Sequence, residues 1–382
     1  MNAAQIEHHP LAAEQRWSVR MADSVIARRA PESARWHYED GLVLKALEQV
    51  WRATGRDRYW RFVKDTIDRF VDPDGTIRSY RLHEYNLDQI NPGKVLFPLY
   101  EVTCDQRYRL AILHLRQQLA SQPRTSSGGF WHKQIYPDQM WLDGIYMAAP
   151  FYAAYARTFD DPAAFDDIAH QIVLIEEHTR DPRTGLLYHA WDESKQQRWA
   201  DPETGRAPHF WGRAMGWFGM ALVDVLDDLP ETHPRRGEMI AILNRMSEAL
   251  AQVQDHATGL WYQVLDQGPR EGNYLESSAS CMFVYALAKG VRKGYLPEHF
   301  MTIARRGYQG IVQEFITIDA EGLVTLDKTC AVAGLGGNPY RDGSFAYYVG
   351  ERGASNDDKG VGPFILASLE IEARGLGTSS IV

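Results

Sequence analysis

Cysteine is scarce in this chain: three residues in 382, Cys104, Cys281 and Cys330, scattered and odd in number. That argues against a disulfide framework and against a cysteine-built metal cluster. The sequence also lacks a His-Glu-x-x-His zinc pair and a Gly-x-Ser-x-Gly nucleophile elbow. Positive charge is short as well. Lysine and arginine total 41 against 50 aspartates and glutamates, a formal net charge of -9 with no basic stripe, which argues against a nucleic-acid partner. The opening Met1-Asn-Ala-Ala-Gln-Ile-Glu-His-His-Pro10 has no basic segment followed by an apolar core, so no signal peptide is visible and the cytoplasm is the expected location. Long apolar runs are missing too. The best candidate, 138–155, is short and interrupted by Gly144 and Pro150, so no membrane span is expected.

What the chain does have is apolar bulk. Hydrophobic residues make up 45% and aromatic residues 12%, with 11 tryptophans and 19 tyrosines, which suits a large core and a cleft lined with rings. From Met140 to Ala156 the one ionisable group of ordinary acidity is Asp143. Trp141, Ile145, Ala148, Tyr152 and Tyr155 share one helical face, and Leu142, Tyr146, Ala149 and Ala153 make the other faces apolar too. A helix apolar all round lies inside a protein, where a carboxylate is expensive unless paired, hydrogen-bonded or protonated. Asp143 is then either a cap or ion-pair partner, or an acid tuned by its apolar neighbours to donate a proton.

Apolar and amphipathic helical segments alternate along the chain. Segments 42–53, 94–103, 138–155, 210–226, 277–291 and 360–373 are apolar; 11–29, 56–70, 107–119, 162–178, 235–254 and 298–315 are mixed. The turn Asp181-Pro-Arg-Thr-Gly-Leu-Leu-Tyr188 returns as Asp255-His-Ala-Thr-Gly-Leu-Trp-Tyr262, with variants at 71–80, 127–133 and 319–325. Such an internal repeat, with a period of roughly 50–80 residues, decides architecture. The alternation predicts two concentric layers of helices: an all-α, closed barrel of about six hairpins with short β-strands in the rim loops, rather than an open solenoid. No low-complexity linker divides it, so residues 1–382 read as one domain, with 1–10 a flexible tail.

The loops that enter the inner helices gather on one rim of such a barrel, and loops on a rigid scaffold carry chemistry. The unusual polar residues fall there. Asp88 precedes the second inner helix and Asp143 opens the third. His132, with Lys133, and His189 follow equivalent short strands of different repeats. Arg213 heads a helix so apolar that it calls for an anion, protein or ligand. Trp141, Trp211 and Trp217 would offer flat faces to a sugar, and Tyr340, Arg341 and Ser344 sit in a rim loop. Two acids, two histidines, cations and aromatics together suggest a site for an acidic carbohydrate.

At these residues the chain resembles glycoside hydrolase family 105, the unsaturated rhamnogalacturonyl hydrolases, and is similar more distantly to the unsaturated glucuronyl hydrolases of family 88. The resemblance runs from about Trp36 to Ala373. It is most specific at Trp141-Leu-Asp-Gly-Ile-Tyr-Met147, at His209-Phe-Trp-Gly-Arg-Ala-Met-Gly-Trp217 and at Gly343-Ser-Phe-Ala-Tyr-Tyr348. It implies an (α/α)6 barrel and a substrate ending in a C4–C5 unsaturated uronic acid, most often the rhamnogalacturonan disaccharide. It further implies Asp143 as general acid, Asp88 as second acid, and His132, Lys133, Trp141, His189, Trp211, Arg213 and Trp217 as binding residues, the cations holding the uronate carboxylate. No metal or organic cofactor is implied. An unsaturated glucuronyl hydrolase acting on another polysaccharide's lyase products, an inverting glycosidase, a sugar epimerase and a helical scaffold are the competing readings.

Overall fold

The computed structural model of the protein describes residues 15–375; the expected tail at 1–10 lies outside them. The chain begins with α1 (Trp17–Arg28), α2 (Tyr38–Thr54), α3 (Asp57–Asp68), α4 (Leu96–Thr103), α5 (Gln106–Ser121) and α6 (Leu142–Phe159). It continues with α7 (Pro162–Thr179), α8 (Gly212–Asp228), α9 (Arg236–Gln252), α10 (Ser277–Arg292), α11 (His299–Phe315), α12 (Phe345–Gly350) and α13 (Asp358–Glu372). Burial sorts them into two layers. The inner helix α10 buries every residue from Ser277 to Val291, whereas the outer α3 buries only Tyr59, Val63, Thr66 and Ile67. Apolarity on all sides sends a helix inward; a single stripe keeps it on the outside.

The inner ring is α2, α4, α6, α8, α10 and α13. It closes because α13 packs on α10 at one side and on α2 at the other. Between α2 and α6 the contact is made by a 3-10 segment, Asn91–Val95, that leads into α4. Side chains such as Phe218, Leu222 and Phe283, all 0% exposed, each contribute about 1.5–3 kcal/mol through burial. Close helix approach adds to this: a Cβ at Gly216 on α8 would lie 2.7 Å from Met282 Sδ on α10. This is the (α/α)6 barrel expected from the sequence.

The repeated turns owe their shape to one device. Asp181 accepts hydrogen bonds from the Thr184 N–H at 3.2 Å and hydroxyl at 2.8 Å, and Asp255 does the same for Thr258 at 2.8 and 2.7 Å. A third copy, Asp201 with Thr204, shapes a hairpin on the rim.

Three local expectations change. The third inner helix does not start at Asp138: Gln139–Trp141 is a strand, β1, paired antiparallel with β2 (Ala190–Asp192), Trp141 opposite Ala190. Cross-strand pairing claims these backbones, so Trp141 leaves the helical face assigned to it. The second inner helix begins at Leu96 rather than Lys94, after the 3-10 turns of Asn91–Val95, where Pro92 supplies no N–H. Residues 76–80, expected as a strand, make one bridge, Val71 to Ile77. The remaining rim strands are β3 (Ile316–Ile318) with β4 (Val324–Leu326), and β5 (Thr329–Cys330) with β6 (Gly353–Ala354). No helix among the described residues is long and apolar enough to cross a membrane.

Candidate active site

The inner helices all enter from the rim, and their first turns carry the polar residues. Asp143 lies in the first turn of α6, where the helix dipole favours a negative charge. The β1–β2 ladder ends beside it, and the Leu142 N–H donates to the carbonyl of His189 at 3.1 Å. That pairing brings His189 Nε2 to 3.3 Å from Asp143 Oδ2. The imidazole is completely buried, and its Nδ1 lies 2.8 Å from the hydroxyl of Tyr348 on α12. Among the described residues neither Asp143 oxygen accepts a hydrogen bond: Oδ2 is buried beside His189 Nε2, and Oδ1 faces no protein donor.

Asp88 sits in a 3-10 turn, Leu87–Gln89, where its own N–H donates to the Asn86 side chain at 3.0 Å. The loop after Phe130 folds onto it through a bond from the Leu87 N–H to the His132 carbonyl at 3.2 Å. Lys133 Nζ then reaches Asp88 Oδ2 at 2.5 Å, and His132 Nε2 stands 3.6 Å from Oδ1. Burial pushes the Asp88 carboxyl up, but Lys133 and His132 outweigh it and hold the group below the usual range, ionised. The same neighbourhood treats His132 oppositely. Burial lowers it to about 4 despite the pull of Asp88, so His132 is neutral near pH 7. Near neutral pH, then, His132 carries no charge, the charge of Lys133 is paired with Asp88, and Asp88 is an ionised acceptor.

Trp141 joins the two acid pairs. Its ring stacks on His132 at 4.7 Å and meets His189 edge-on at 5.3 Å. Tyr136 stacks on the same indole at 4.9 Å and takes a hydrogen bond from Arg341 at 2.9 Å, which brings the rim loop of Arg341 over the site. Trp211 and Trp217 are 1% exposed. Trp211 packs against His189 and Tyr348, and Trp217 against Tyr146 and Tyr38. They are floor and wall, not the open stacking faces the sequence suggested.

Arg213, in the first turn of α8, is buried at 2% exposure. It donates through Nη1 to the Cys330 carbonyl and to Ser278 Oγ, with its guanidinium over Trp211 at 4.8 Å. Among the described residues it forms no ion pair. Glu276, whose charge acts on Arg213, is already bonded by Ser278, the Ala279 N–H and the Cys330 N–H. Arg213 and Arg341 are thus both cations of the site without a carboxylate partner among the described residues, and of the two Arg213 heads an inner helix. Among the described residues no cluster of three or more histidine, cysteine, aspartate or glutamate side chains is arranged to hold a metal ion.

The family model described as Glycosyl Hydrolase Family 88 matches residues 13–374. The chain belongs to that family. A glycoside hydrolase from family 105 of C. acetobutylicum ATCC 824 is 51% identical, with a TM-score of 0.92 over 94% of this chain and 100% of that one. The unsaturated rhamnogalacturonyl hydrolase YesR of Bacillus subtilis (strain 168) is 27% identical over 271 residues, 69% of this chain and 74% of YesR. The unsaturated glucuronyl hydrolase of Bacillus sp. GL1, at 14% identity, shares the fold with a TM-score of 0.69 over 93% of this chain and 94% of that one. The protein is an enzyme of the unsaturated glycuronyl hydrolase families 88 and 105.

In this family 88/105 hydrolase two rim residues escaped the sequence reading. Tyr38 opens α2. Burial raises its phenol well above the ordinary range, with Glu39, Asp88 and Asp143 adding to the effect and Arg213 opposing it. Its signal was positional: it heads an inner helix as Asp143 and Arg213 do. Tyr348 ended the motif 343–348 but carried no assigned role.

Proposed function

We propose that this hydrolase hydrates the C4–C5 double bond of an unsaturated uronic acid at the non-reducing end of a lyase-generated oligosaccharide, with the unsaturated rhamnogalacturonan disaccharide as substrate. The reading rests chiefly on Asp143: a carboxyl at an apolar helix mouth, one oxygen beside His189 and the other facing no protein partner. Asp143 delivers its proton to C4, leaving oxocarbenium character at C5 and the ring oxygen. Water adds to C5 and returns a proton to the Asp143 carboxylate. The resulting hemiketal opens to a C5 ketone. C1 is then a hemiacetal and expels the shortened sugar as an alcohol. One water is consumed, and no attack at C1 by a second carboxylate is required, unlike ordinary glycoside hydrolysis.

The other residues bind and orient. Arg213, with no carboxylate partner, takes the uronate carboxylate. Ionised Asp88 accepts hydrogen bonds from sugar hydroxyls, with Lys133 and neutral His132 holding it in place. Trp141, Trp211 and Trp217 wall the pocket and keep it poor in water. The likeness to YesR supports rhamnogalacturonan as the source of the leaving sugar. The free thiols of Cys104, Cys281 and Cys330 accord with a cytoplasmic enzyme, and the closed ring accords with one domain.

The test is the ultraviolet band of the conjugated C4–C5 double bond. Purified protein should bleach it in unsaturated rhamnogalacturonan disaccharide, and Asp143→Asn should fail to, while still binding. Substantial turnover by Asp143→Asn would remove Asp143 from its role. Bleaching of an unsaturated glucuronyl disaccharide alone would change the substrate, and no bleaching of either would end the hydration reading.

A further inference from the structure

We infer that Tyr348 is a positioning residue of this reaction: its hydroxyl sets the tautomer of His189 so that Nε2–H faces Asp143. The inference rests on the reading of Asp143 as general acid. It begins with a proton that needs an acceptor. Tyr348 is 0% exposed, and among the described residues its hydroxyl makes one hydrogen bond, to His189 Nδ1 at 2.8 Å. If Nδ1 carried a hydrogen and donated it, the phenolic proton would be buried with no acceptor, which costs about as much as a lost hydrogen bond. Satisfaction of both groups requires the hydroxyl to donate and Nδ1 to be bare. In a neutral ring the single proton then sits on Nε2, 3.3 Å from Asp143 Oδ2. Both atoms are buried without a hydrogen-bond partner, so each is the nearest group that can satisfy the other.

The ring is held in this orientation. Trp211 lies 4.7 Å from it and Trp141 5.3 Å, and Tyr348 itself stacks on Trp211 at 6.0 Å. Tyr348 is fixed in turn: Ser344 caps α12, and Gln263 Nε2 donates to the Tyr348 carbonyl at 3.0 Å. Among the described residues, the titratable side chains around the imidazole are Asp143 and Tyr348, with His132 across the Trp141 ring and His209 behind, edge-on to Tyr348.

The tautomer decides where the acid's proton resides. A bare Nε2 would accept the carboxyl proton of Asp143 and compete with C4 for it. An Nε2 that already bears hydrogen can only donate, so it holds Oδ2 as acceptor and leaves the proton on Oδ1, the open side. Tyr348 thus acts through His189 and touches no reacting atom.

Tyr348→Phe removes the hydroxyl and keeps the ring stack. The expected result is a fall in kcat of about tenfold to a hundredfold with KM within about threefold, an unchanged melting temperature to within a few degrees, and a displaced acid limb in the kcat–pH profile. Nitrogen-15 spectra of histidine-labelled protein, with His189→Gln to assign the ring, should show Nε2–H alone in the wild type and a tautomer mixture in Tyr348→Phe. A wild-type ring protonated on Nδ1, or a variant with unchanged kcat and pH profile, would overturn the proposal. The spectra are taken without substrate, so they decide the tautomer even if Tyr348→Phe folds poorly or the substrate assignment fails. If Asp143→Asn kept its turnover, the acid reading would fall while the tautomer result stood.

Discussion

Lys94 offers a sharp test of how the barrel interior is built. It lies at the start of the second inner unit, 6% exposed, and its Nζ has no hydrogen-bond partner. The ammonium sits 3.6 Å from the centre of the Tyr146 ring. Burial pushes it down to about 7 from an ordinary 10.5, with Lys45 and Lys289 adding to the effect and Asp224 opposing it. The folded pKa is thus below the unfolded one, so as pH falls from about 10.5 toward 7 the unfolded chain takes the proton first. Stability contributed by the neutral amine at high pH is lost across that window. The fall from 10.5 to about 7, at roughly 1.4 kcal/mol per tenfold, is worth about 5 kcal/mol in full and about 4 kcal/mol at pH 7, where the folded amine is half protonated. The ring contact, about 0.5–2 kcal/mol, is lost in a replacement. Lys94→Met, similar in volume, should therefore gain about 2–4 kcal/mol at pH 7 and gain little at pH 10.5. With an unfolding entropy near 2 cal/mol/K per residue over 382 residues, that is a rise in Tm of about 3–5 °C. Urea titration at pH 7, 8.5 and 10 measures it directly, and large proteins that unfold irreversibly on heating make this the safer assay. A variant less stable than wild type, or a difference that does not change with pH, would refute the argument.

Two further outcomes follow from the site. His132 is held near 4 when folded against 6.5 when free, so its contribution is complete above pH 6.5 and lost as pH falls to 4, about 3 kcal/mol in all; His132→Gln should flatten the stability profile over that window, and an unchanged slope would disprove the assignment. Arg213→Lys should raise KM for the unsaturated uronide at least about tenfold, because an ammonium cannot replace a guanidinium that also bonds Cys330 and Ser278; an unchanged KM would place the uronate carboxylate elsewhere.

The helical barrel was legible because its cause is local. Residues 277–291 are apolar on all sides and 57–68 on one stripe, and that contrast alone sorts inner from outer helices. The loops that head the inner helices could be read for the same reason, since Asp143 and Arg213 stand out against apolar surroundings. Boundaries were less legible where pairing across the fold competes with helical spacing, as β1 shows at Trp141.

Charge and proton position belong to the tertiary structure. Asp88 and Lys133 are 45 positions apart in sequence and 2.5 Å apart in space, and that contact turns a possible acid into a fixed acceptor and spends a lysine that looked free. His132 looked like a cation until burial took its charge. Tyr348 stands 159 residues from the His189 whose tautomer it governs. Amino-acid order determines hydrophobic patterning, and hence the layers and the rim. Which ionisable groups meet, and how much water remains around them, is decided only when the ring closes, because electrostatic energies depend on distance and burial rather than on position in the chain.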